Sequence, residues 1–76
     1  MNNRFQLDDG SYDVLVVDAS ADDEGVAIEL TILAGERKGE VVGLRATGLG
    51  LDELELLGLP GTLHVENGVP RFAVDR

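Results

Sequence analysis

Apolar residues in the first half of the chain recur with a period of two, the mark of strands that bury one face. The clearest case is residues 26–33. Val26, Ile28, Leu30 and Ile32 fall on one side, and Ala27, Glu29 and Thr31 on the other. Residues 12–19 are dense in Val and Leu and follow Gly10-Ser11, which reads as an earlier strand. A third strand is expected over residues 40–46, with Val42, Leu44 and Ala46 inward and Val41, Gly43 and Arg45 outward. Gly43 inside it points to a bulge or a sharp coil, a device small barrels use to close. The turns between these strands are the polar residues 20–25 and the charged Gly35-Glu36-Arg37-Lys38-Gly39.

The period then changes. Residues 51–58 read as a short helix, with Asp52 at the N-cap and Glu55 three positions on, the spacing of a capping box. Leu51 and Leu56 have the spacing of a hydrophobic staple, and Gly58 suits the position just past the last turn. Leu59-Pro60-Gly61 ends the helix. Two further strands, residues 62–66 and 69–74, flank Asn67-Gly68, the dipeptide that favours a two-residue hairpin.

Three strands, a helix and two strands is the element order of an OB-like barrel, a five-stranded and partly open Greek key. The expected class is therefore all-β with one short helix plugging an end of the barrel. An SH3-like barrel is the alternative, and the capping signals at Asp52 and Glu55 favour the former. Residues 1–9 read as a loosely ordered lead-in, with Phe5 and Leu7 able to pin it. Residues 10–76 form the single domain.

Composition narrows what such a barrel does. A chain of 76 residues has room for one core. It has no Cys, which excludes a disulfide or a thiolate zinc site. No run approaches the roughly 18–20 apolar residues of a membrane helix. Met1-Asn2-Asn3-Arg4 leads toward Asp8 and Asp9 instead of an apolar stretch, so no secretory signal and a cytoplasmic location are expected. The formal net charge is −9, and Lys and Arg are absent between Phe5 and Glu36. That half repels phosphate at long range and suits either solubility or a basic protein partner.

Catalytic and cofactor chemistry finds little to work with. His64 is the sole histidine, so a nucleophilic triad would have to join it to Ser11 or Ser20, and the strand alternation turns His64 outward. A calcium loop counted from Asp18 meets Asp23 where a central glycine is needed. Gly48-Leu49-Gly50-Leu51-Asp52-Glu53 places Glu53 where a dinucleotide fingerprint needs its third glycine. Gly35-Glu36-Arg37-Lys38-Gly39 lacks the spacing of a phosphate loop. A non-catalytic protein with no cofactor and no metal is expected.

Three stretches carry a family resemblance: Gly10-Ser11-Tyr12-Asp13-Val14, Ile28-Glu29-Leu30-Thr31-Ile32, and Gly35-Glu36-Arg37-Lys38-Gly39-Glu40-Val41. Together they resemble small OB-fold single-stranded-DNA-binding proteins of phages and mobile elements. In that group a G-x-Y strand start, an alternating second strand ending in Leu-Thr-Ile or Leu-Thr-Phe, and a G-x-x-K-G turn recur. The resemblance implies the barrel and a single-stranded nucleic-acid ligand.

OB folds hold single strands on the face of strands 2 and 3 and on neighbouring loops, by cations and stacking aromatics. The candidate contacts are Tyr12, Arg37, Lys38 and Arg45. The outward positions of strands 2 and 3 otherwise lack aromatics and cations, so single-stranded DNA or RNA ranks second as a partner. A binding or scaffold module for protein–protein interaction ranks first. Its candidate surface is the acidic group Asp18, Asp22, Asp23 and Glu24, and its expected partner is a basic protein. The Val-rich strands and barrel edges also leave a homodimer open.

Overall fold

In a computed structural model the chain is described over residues 7–47 and 50–75. Five strands and one helix follow in the order β1 (Gly10–Asp22), β2 (Gly25–Ile32), β3 (Val41–Ala46), α1 (Glu53–Leu56), β4 (Pro60–Glu66) and β5 (Val69–Val74). They form one antiparallel sheet ordered β3-β2-β1-β4-β5. The class is all-β, a sheet curled into a half-barrel, as the element order predicts. β3 and β5 approach one another, but among the described residues no ladder joins them.

The curl has its origin in β1. Its first half pairs with β4, from Gly10 opposite Val65 to Leu15 opposite Pro60. Its second half pairs with β2, from Val14 opposite Ile32 to Asp22 opposite Gly25. One 13-residue strand thus serves two neighbours, with Val14 and Leu15 paired on both sides. Just beyond them lies a bulge at Val17, where the register moves from Val16 opposite Leu30 to Asp18 opposite Glu29. The extra residue resets the alternation. Val14 and Val16 point inward before it, and Ala19 after it, so Asp18 stays outside. Without a reset Asp18 would continue the inward series, and an unpaired buried carboxylate is far costlier than a bulge.

Gly43, in contrast, sits in an unbroken ladder opposite Glu29. The bulge expected at Gly43 is in β1 instead. With Val42 and Leu44 already in phase with Leu30 and Ile28, β3 has no surplus residue to absorb.

The core is aliphatic, with Val14, Val16, Ile28, Leu30, Ile32, Val42, Leu63 and Val65 buried from the strands. Burying each such side chain contributes about 1.5–3 kcal/mol. Leu7, from the lead-in, is also buried, and Tyr12 and Phe72 pack at the margin. Phe72 lies over Gly61, where an added Cβ would sit 2.5 Å from both the ring and the carbonyl oxygen of Ala73.

The helix is shorter than residues 51–58. Asp52 accepts from the Glu55 backbone N–H at 2.8 Å and Glu55 accepts from the Asp52 N–H at 3.0 Å, completing the capping box. After one turn the chain leaves the helical region at Leu57, and Gly58 N–H then donates to the Val16 carbonyl at 2.9 Å. Val16 N–H donates to the Leu59 carbonyl, so the chain rejoins the sheet before Pro60. Leu56 alone among the helical residues is fully buried.

Candidate functional site

The cations proposed to meet nucleic acid are placed on β3 and on the β2–β3 turn. Arg45 points outward from β3, and its Nη1 donates to both carboxylate oxygens of Asp22 at 2.7 Å. Arg37 is shared between Glu40 at 3.3 Å and Asp8 at 4.0 Å. Lys38 is exposed and makes no ion pair with a described residue. Tyr12 lies inward on β1 opposite Leu63, half-buried, and its hydroxyl donates to the Asp8 carbonyl at 2.5 Å. These four residues do not converge on one surface. Tyr12 and Arg37 border a shallow groove with Ser11, Asp13 and Gly35, while Arg45 lies at the opposite end of the β1–β3 face.

The acidic group is also divided. Asp22 is held by Arg45, and its Oδ1 accepts the Glu24 N–H at 2.8 Å, which tightens the β1–β2 turn. The Arg45 hydrogen bond, followed by the Glu24 N–H, lowers the Asp22 carboxyl below its ordinary value of 3.8. Asp18 accepts from the N–H of Ala19 at 3.0 Å. Asp23 and Glu24 are exposed. A candidate of each reading, Arg45 and Asp22, has thus become one neutral pair.

His64 faces outward on β4, with Nδ1 hydrogen-bonded to Ser11 Oγ across the ladder at 2.9 Å. Among the described residues no group of three or more His, Asp or Glu side chains converges to hold a metal ion. No described helix is long and apolar enough to cross a membrane. Phe5, Gly48 and Leu49 lie outside the described residues.

The outward face of β1–β3 carries a feature that strand-by-strand reading missed. Leu15 stands opposite Thr31, and Thr31 opposite Val41, so the three form one row across three strands. Val17 and Leu33, both more than two-fifths exposed, lie in the rows on either side. The outward phase of Leu15 was open to inspection in the sequence, since Val14 and Val16 flank it. The row itself requires the register of two ladders.

The chain matches no family model, no curated protein and no solved structure.

Proposed function

We propose that the chain is an OB-like barrel acting as a non-catalytic, acidic binding module whose partner is a basic protein. The observation that carries this reading is the pairing of the described arginines. Arg37, Arg45 and Arg71 each lie within 4.0 Å of a carboxylate, from Glu40 and Asp8, Asp22, and Glu66. Phosphate binding needs cations that release counterions to the ligand, and a guanidinium already sharing a carboxylate must first give it up. No aromatic side chain stands outward on β2 or β3 to stack a base. With a net charge of −9, long-range attraction favours a cationic partner.

The second reading is a weak single-stranded nucleic-acid-binding accessory protein of the phage or mobile-element type. The strand order, the resemblance and the exposed Lys38 favour it. Fluorescence anisotropy of labelled oligo(dT) at low salt separates the two. The first reading expects no saturable binding tighter than about 10⁻⁴ M. Micromolar binding that weakens steeply with salt and disappears in Arg37→Glu/Arg45→Glu would establish the second.

A further inference from the structure

We infer that the row Leu15, Thr31 and Val41, with Val17 and Leu33 beside it, is the docking surface for a protein segment whose apolar anchors are flanked by Lys or Arg. This rests on the proposed role as an acidic binding module and adds the place and chemistry of contact. Val41 is 54% exposed, Val17 44% and Leu33 41%. A lone exposed aliphatic needs no explanation, but neighbouring ones on one rigid face mark a contact surface. The bulge contributes directly. By placing an extra residue opposite Glu29, it turns both Val17 and Asp18 toward solvent.

The charges around the row select the occupant. Asp13 lies beside Leu33 at one side, and Asp18 and Glu29 form the next row on the other. The nearby cations are accounted for: Arg45 is paired with Asp22, and Arg37 with Glu40 and Asp8. Lys38 is carried on the tip of the β2–β3 turn. An apolar centre with an anionic rim complements a segment with an apolar centre and a cationic rim. A second copy of the chain would bring the same three carboxylates against themselves, and anionic lipid or nucleic acid would be repelled.

The test uses a fluorescently labelled amphipathic peptide with Leu on one face and Lys on its flanks. Two comparison peptides replace Leu by Ser or Lys by Glu. Anisotropy should show the Leu/Lys peptide binding with a dissociation constant of about 10⁻⁵–10⁻⁴ M and the comparisons at least about tenfold more weakly. Val41→Ser/Leu33→Ser should weaken it by about tenfold, as should Asp18→Lys/Glu29→Lys. Leu54→Ser, which removes an exposed leucine on α1, should leave it unchanged. Circular dichroism of each variant confirms the fold. If the Ser-faced peptide binds equally well and Val41→Ser/Leu33→Ser has no effect, the apolar surface is refuted while the acidic-module reading stands. If neither Lys peptide binds at about millimolar concentration, both are refuted.

Discussion

Arg45 and Asp22 lie 23 positions apart in the chain, yet one guanidinium nitrogen reaches both carboxylate oxygens at 2.7 Å. The contact crosses β2 diagonally, because Arg45 stands opposite Ala27 and Asp22 opposite Gly25. It joins the outward face of β3 to the β1–β2 turn and sets one charge of each sign against the other. Both side chains are nearly half exposed, so the pair is worth more for what it occupies than for stability.

The pair has a pH signature. Asp22 has its carboxyl lowered by Arg45, so any stabilisation it adds is present above the ordinary value of 3.8 and is lost as pH falls through the lower folded value. Carboxyl-detected NMR should find Asp22 titrating below 3.8 in the wild type. In Arg45→Ala the midpoint should rise toward the ordinary value. An unchanged midpoint would show that the backbone N–H groups of Glu24 and Gly25, and not Arg45, set it.

The β4–β5 hairpin should be sensitive at Gly68. Asn67 and Gly68 have φ of 54° and 77°, the left-handed pair of a type I′ turn. Asp9 accepts from both backbone N–H groups, at 2.9 and 3.1 Å. Gly68→Ala forces an L residue into the left-handed region and should cost about 1–2 kcal/mol in urea unfolding. Asp9→Ala should cost about 1 kcal/mol by removing the acceptor. The double variant should lose less than the sum, since both changes loosen the same turn.

The single-turn helix depends on its cap more than on its length. Asp52→Ala removes the acceptor for the Glu55 N–H and should cost about 1 kcal/mol. Leu54→Ala, at the exposed position 76% open to solvent, should change stability by less than about 0.5 kcal/mol. Thermal melts of both variants check this, and an equal loss in the two would mean that the cap contributes no more than an exposed leucine.

Much of this fold was legible in the sequence where the signal is local. The alternation of Ile28, Leu30 and Ile32, the Asn67-Gly68 turn, and the Asp52–Glu55 box each depend on residues a few positions apart. What escaped depends on pairing. The surplus residue in β1 shows as a bulge only against the partner Glu29, whereas Gly43 suggests one and makes none. The helix ends early because Gly58 must reach Val16, 42 positions back in the chain by number. The candidate surface follows the same division. The outward direction of Arg45 follows from its own strand, but its capture by Asp22 requires three strands in register.

The proposed contact of this acidic half-barrel with basic protein, and not with nucleic acid, falls on the outward face of β1–β3. One ¹⁵N-labelled sample, titrated in parallel with the Leu/Lys peptide and with oligo(dT), separates the two ligands residue by residue. Amide shifts at Leu15, Val17, Thr31, Leu33 and Val41 with the peptide, and no saturable shifts with oligo(dT), are the predicted result. Saturable shifts at Arg37, Lys38 and Arg45 with oligo(dT), alongside a silent Leu15 to Val41 row with the peptide, would contradict it.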